Sequence, residues 1–232
     1  TAASTHNVAI GNYAMDAALN GALYNVAIGY EALTGLTSGD KNVAVGKGAG
    51  ANGNMSLGVF VGYGAGAATM TSDADGSIFI GYNAGTNNLS GQYNTFIGYQ
   101  AGLANTTGDA NTVLGYNAFD SATQLDFNTA IGYHALSSMS GSAGTDGHNT
   151  AVGSTAGIAV TTGIENTIVG SQAGDAINTG QRNTLMGYAA GGAINSADYN
   201  TLIGRSSGAS ITTGAFNTTL GTDFSNENID VA

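Results

Sequence analysis

Asn94-Thr-Phe-Ile-Gly98-Tyr-Gln-Ala-Gly102 decides how this chain must be read. Seventeen residues on it returns as Asn111-Thr-Val-Leu-Gly115-Tyr-Asn-Ala118, and again as Asn128-Thr-Ala-Ile-Gly132-Tyr-His-Ala135. Its glycine recurs at Gly11, Gly29, Gly46, Gly62, Gly81, Gly98, Gly115, Gly132, Gly153, Gly170, Gly187, Gly204 and Gly221, at gaps of 18, 17, 16, 19, 17, 17, 17, 21, 17, 17, 17 and 17. One short unit is thus written thirteen times. Units this small cannot bury a core alone and must stack on their neighbours. The expected fold is all-β, a β-solenoid of about thirteen 17-residue coils over residues 1–224, each coil two short strands and two turns. Residues 225–232 drop the pattern and read as a tail leading to a neighbouring domain. The start, Thr1-Ala-Ala-Ser, has no methionine and reads as a processed or excised end.

Composition supports an ordered array and narrows the partners. The 232 residues include 38 glycines and no proline, cysteine or tryptophan, and only 8% are charged. That is roughly a third of the usual charged share. Aliphatic side chains nonetheless fall at fixed places, which disordered segments have no reason to maintain. Four basic residues stand against fifteen acids, a net charge of −11. Such a chain lacks the cations that neutralise nucleic-acid phosphates or hold an anionic membrane. No stretch is apolar enough for a membrane span. Nucleic acid and membrane insertion are therefore not expected.

Around each pivot glycine the pattern is regular. The residue before it is aliphatic or methionine (Ile10, Ile28, Val45 through Leu220), and three before it stand Val8, Val26, Val43, Val59 and Ile78, then threonine from Thr95 onward. Two apart, these share one strand face, and their aliphatic character predicts that this face lines the coil interior. The residue between them, Ala9 through Phe60, Phe79, Phe96 and Leu202, then points outward. Being apolar too, it predicts cover by a sister chain. Asparagine four before the glycine, from Asn7 to Asn217 with Gly58 and Ser77 as interruptions, suits a stacked amide ladder. A small residue three after the glycine, Ala14 through Ser207, implies close packing. The irregular places are Met55–Gly62 and the insertion at Ser137–His148; such insertions leave a solenoid as surface loops.

Asn-Thr-Ala-Ile-Gly and Asn-Val-Ala-Ile-Gly resemble the head repeats of trimeric autotransporter adhesins, which wind a left-handed β-roll. The longer Asn-Thr-x-Ile-Gly-Tyr-x-Ala-Gly is similar to repeat regions of bacteriophage tail fibres and bacterial surface fibres. The resemblance covers residues 7–224, and the period of this chain is longer than that of the adhesin head. It implies a left-handed β-roll-like coil in a parallel homotrimer, extracellular on a cell surface or virion tail, that contacts a host or cell-surface glycan or protein receptor.

Candidate chemistry is sparse. Tyrosine follows the glycine at Tyr30, Tyr63, Tyr82, Tyr99, Tyr116, Tyr133 and Tyr188. The row Tyr82, Tyr99, Tyr116, Tyr133 is the candidate contact surface, although rings in adjacent coils also stabilise a stack simply by pairing. Threonine rows, Thr95 to Thr218 and Thr107, Thr162, Thr179, Thr213, could match an ice lattice. The first shares the face of the lining aliphatics, so burial is the expectation for it. Asp73-Ala-Asp75-Gly-Ser77 lacks the later ligands of a calcium loop and reads as an acidic turn. His134 and His148 with Asp146 lack a third ligand at metal spacing. The hexapeptide-like Ile97-Gly-Tyr-Gln-Ala-Gly102 does not recur every six residues, no βαβ unit surrounds the glycines, and no serine sits in a nucleophile elbow. No catalytic residue, metal or cofactor is expected, and the chain does not read as an enzyme.

Overall fold

The computed structural model describes residues 3–71, 74–141 and 145–222. Among the described residues it is all-β with no helix, a parallel β-solenoid of about 12 turns at a spacing of about 17 residues. The chain divides into two compact units, one ending at Leu114 and the other beginning at Gly115.

The first unit holds seven three-residue strands: β1 (Val8–Ile10), β2 (Val26–Ile28), β3 (Val43–Val45), β4 (Val59–Val61), β5 (Ile78–Ile80), β6 (Thr95–Ile97) and β7 (Thr112–Leu114). Each pairs in parallel with the next at equivalent positions, as in Val26↔Val43 and Phe79↔Phe96. In the second unit, β9 (Thr129–Ile131), β11 (Thr150–Val152), β12 (Thr167–Val169), β13 (Thr184–Met186), β14 (Thr201–Ile203) and β15 (Thr218–Leu220) stack the same way. A second, two-stranded sheet pairs β8 (Leu125–Asp126) with β10 (Thr145–Asp146), which belongs to the insertion. Elsewhere a coil carries one strand rather than the expected two. The rest of it is turn, held to the next coil by backbone hydrogen bonds such as Gln172 N–H to Ser154 O at 2.9 Å.

The pivot glycine is required twice over. Its φ lies between +129° and +146°, a region that side chains disfavour. A Cβ on Gly132 would also stand 2.2 Å from the carbonyl oxygen of Gly153 in the next coil. Layers can approach this closely only where both glycines are bare.

The facing of the strands is the reverse of the sequence expectation. From β2 onward the central residue of each three-residue strand is buried: Phe60, Phe79, Phe96 and Val113 in the first unit and Ile168, Leu185 and Leu202 in the second have no exposed surface. The flanking aliphatics point out, Ile28 at 37%, Leu114 at 45% and Met186 at 42% exposure. The asparagines decide this. They lie two residues before the central position and so share its face, and as buried groups they need every hydrogen bond filled. Stacking fills them. Asn183 donates through Nδ2 to Asn166 Oδ1 (3.1 Å) and, across the coil, to Ala197 O (2.8 Å), while its own Oδ1 accepts from the N–H and Nδ2 of Asn200 (3.0 and 3.1 Å). An amide with both donors and its acceptor satisfied is cheap to bury.

The strand centre and the position four after the pivot share the interior with other inward residues, and their sizes compensate. Phe96 in the strand faces Gly102, where a Cβ would come within 2.5 Å of the ring; Val113 instead faces Phe119, and Ala130 faces Leu136. The small residue three after the pivot is buried in nearly every coil, as the close-packing expectation required, with Ala32, Ala101 and Ala173 fully enclosed. Interiors packed to crystal-like density tolerate little mismatch, so a large ring at one position demands a small residue at another.

Candidate functional site

With the strand centres turned inward, the outer sheet face becomes the most distinctive surface. In β1 to β5 both outward positions are aliphatic, with Val8, Ile10, Ile28 and Val43 exposed and Val59, Val61, Ile78 and Ile80 half-buried. From β6 onward the first outward position is threonine. Thr112, Thr167 and Thr218 are exposed and Thr95, Thr129, Thr150, Thr184 and Thr201 half-buried. The threonine row therefore lies outside, not in the core as the sequence suggested. It does share its face with the flanking aliphatics, but that face is the outer one. The second row, Thr107, Thr162, Thr179 and Thr213, is exposed as well.

Aromatic rows border this face on both sides. Along one border run the tyrosines that follow the pivot glycines. In the first unit Tyr63 and Tyr82 stack at 5.3 Å and 12°, and Tyr82 and Tyr99 at 5.1 Å and 7°. In the second, Tyr116 and Tyr133 stack at 5.5 Å and 15°. Of the four candidate contact residues, each has at least one ring face covered by a neighbour, while 41–53% of the residue stays exposed. Offset stacking of this kind adds about 0.5–1.5 kcal/mol per pair beyond area burial. Lys47 takes the tyrosine place in its coil, its Nζ 5.5 Å from the Tyr30 ring and 5.4 Å from that of Tyr63.

The other border was not singled out in the sequence. It consists of the residue just before each asparagine, held at φ between +47° and +61° wherever it is not glycine: Tyr24, Tyr93, Phe127, Tyr199 and Phe216 among them. These rings are 43–77% exposed. In the second unit Phe127 stacks on His148 at 5.2 Å, and Tyr199 on Phe216 at 4.9 Å. Between these pairs Arg182 donates to Glu165 Oε2 (2.7 Å) and to the Tyr199 hydroxyl (2.6 Å). The hydrogen bond from Arg182 holds the Glu165 carboxyl below its ordinary pKa, and the Arg182 guanidinium is raised in turn. The signal for this row was present as a position alternating between aromatic and charged residues at the 17-residue period.

The remaining titratable groups do not converge. His148 Nε2 lies 3.6 Å from Asp146, and His134 instead sits against the Tyr133 ring. Among the described residues no three histidine or acidic side chains are placed to hold a metal ion. Asp73 lies outside the described residues; Asp75 accepts from Ser56 N–H at 2.5 Å, a turn-holding role that Asp40, Asp109 and Asp198 repeat in other coils. Asp120 and Asp175 are raised above the usual carboxylate range by burial. Among the described residues no helix is long and apolar enough to cross a membrane. No protein-family model, curated protein or solved structure matches the chain.

Proposed function

We propose that the chain is a structural and adhesive fibre segment, of a phage tail fibre or bacterial surface adhesin, whose left-handed β-roll-like coils work as a parallel homotrimer. The observation that carries this reading is the outer sheet face. Two apolar side chains per coil over β1 to β5, and one per coil beyond, form a patch of the kind that marks interaction surfaces, and identical copies offer the same repeat at the same spacing. The sister chain covers the flanking aliphatics rather than Phe60, Phe79 and Phe96. Repeated weak contacts along such a fibre gain affinity through avidity. In this reading the segment is a non-enzymatic, extracellular one on a cell surface or virion, and it meets a glycan or protein receptor. Light scattering is expected to give about three times 22.9 kDa, and Val61→Lys with Ile80→Lys to return the mass to that of one chain. A monomeric parent protein would overturn the trimer.

The outward threonines favour a second reading, an ice-binding solenoid. Thr129 through Thr218 stand in successive parallel strands on the outer face, which removes the argument that they are buried. A monomer that suppresses ice recrystallisation, and loses the effect with Thr167→Lys and Thr184→Lys, would select this reading over the fibre.

A further inference from the structure

Resting on the surface-contact reading of the chain, we propose that a cleft between the third and fourth coils is a binding site for one neutral sugar residue. Two residues past the pivot glycine, the chain adopts φ between +48° and +66° in every described coil, and all but two place a side chain there, among them Glu31, Asn83, Gln100 and Gln172. The exceptions are Gly48 and Gly64. Nothing in the fold requires glycine at position 48. The backbone conformation is the one that Gln100 and Gln172 adopt, and a Cβ on Gly48 would meet no atom within 4 Å. At Gly64 the Asn83 side chain fills the vacated place, its Oδ1 2.4 Å from where a Cβ would stand, while the open place at Gly48 borders a cavity of about 320 Å³, at the lower end of the range for small-molecule sites.

Its walls are mixed, with an apolar floor and polar groups of both signs. Glu31 and Asn83 are the side chains of the flanking coils, Lys47, Asn52 and Tyr63 add polar groups, and Ala51 and Ala67 supply apolar surface. Lys47 is steadied between the Tyr30 and Tyr63 rings. Asn52 uses its Nδ2 on Ala67 O at 3.0 Å, which leaves its Oδ1 to accept. Among the described residues the side chains of Glu31, Lys47 and Asn83 have no hydrogen-bond or ion-pair partner. A carboxylate, an ammonium and two amides around a small open cavity match a ring of hydroxyl groups, each both donor and acceptor. A free anion fits worse, because Glu31 and a net charge of −11 oppose it. The irregular spacing coincides with the cleft, since the gaps of 16 and 19 residues fall at Gly46–Gly62 and Gly62–Gly81.

The test is saturation-transfer NMR on the full chain with methyl glycosides of glucose, galactose, mannose and N-acetylglucosamine, and with N-acetylneuraminate as the anionic comparison. At least one neutral glycoside is expected to bind. Gly48→Gln, which puts into the cleft a side chain that two other coils carry, removes the signal without moving the melting temperature. Glu31→Ala weakens binding by about tenfold, the factor that about 1.4 kcal/mol of lost contact gives, and Gln172→Ala leaves it unchanged. Binding of no neutral glycoside, preference for the anionic sugar, or unchanged binding in Gly48→Gln would each overturn the proposal. Mass measured on the same samples separates the two ideas. A trimer without sugar binding loses only the cleft, and a sugar-binding monomer loses only the trimeric fibre.

Discussion

The two units solve the same packing problem differently. In the second, the asparagine ladder runs unbroken from Asn128 through Asn149, Asn166, Asn183 and Asn200 to Asn217, and the strand centres beside it are alanine or aliphatic until Thr219. In the first, the ladder stops at Asn42, whose Oδ1 accepts from the backbone of Gly58 at 2.9 Å. It resumes only at Asn94, which donates its N–H to Ser77 Oγ. The interruption coincides with Phe60 and Phe79, whose rings meet tilted at 5.6 Å, Phe79 in turn stacking on Phe96. A Cβ on Gly58 would stand 2.4 Å from Phe60 Cε2, so the ring occupies the room that an asparagine would need. Opposite these rings a second amide pair appears, with Asn105 Nδ2 donating to Asn88 Oδ1 at 2.7 Å. Asn94 and Phe96 are both buried in one coil, so a ring as such does not exclude the amide; what excludes it at position 58 is where the Phe60 ring lies, against Gly58.

Placing an asparagine against the Phe60 ring has the largest expected effect. Gly58→Asn should destabilise the first unit by about 3 kcal/mol, the upper range for overpacking, and adding Phe60→Ala should recover part of that loss. Urea denaturation followed by tyrosine fluorescence reads the pair, and a double mutant no better than Gly58→Asn would show that the ring is not the obstacle. Next is Asn166→Ala in the continuous ladder, which removes the acceptor of the Asn183 N–H and Nδ2 and one of the two donors to Asn149 Oδ1, and should cost about 1–3 kcal/mol. Ser77→Ala, in the ladder already broken, should cost less. Hydrogen exchange read coil by coil would place each loss, and equal losses would end the comparison.

Protonation gives smaller effects. The carboxyl of Asp175 is raised by burial, so the folded state prefers it protonated. Its favourable contribution is present below the unfolded-state value and is lost as pH rises through the folded one. Asp175→Asn should therefore raise the melting temperature at neutral pH, with the gain vanishing in acid. Glu165 has the opposite sign: its contribution is present above the ordinary glutamate value and fades as pH falls through the lowered one. Arg182→Ala should produce the smallest shift of all, because that pair is exposed and screened. Differential scanning calorimetry across pH checks both signs.

The amide ladder shows why some features could be read in advance. Asn149 and Asn166 are one repeat apart, and identical residues at a fixed period in stacked coils must meet, so repetition alone predicted their contact. The pivot glycines follow the same logic. The tyrosine rows also meet because of the period, but their ring orientations depend on turns that no period specifies. The cleft at Gly48 was hidden because a glycine in a glycine-rich chain carries no mark of the side chain it replaces.

The amino-acid order alone determined that this is a stack of short parallel strands with bare glycines at the corners and amides in register, because each of these follows from translation by one repeat. Only the tertiary structure decided which way the strands face. A three-residue strand that is apolar at every position fixes which side chains are on the same side, but not which side is inside. That choice went to the face on which the asparagines could fill all their hydrogen bonds, and it turned the aliphatic rows outward into the surface on which the proposed assembly rests.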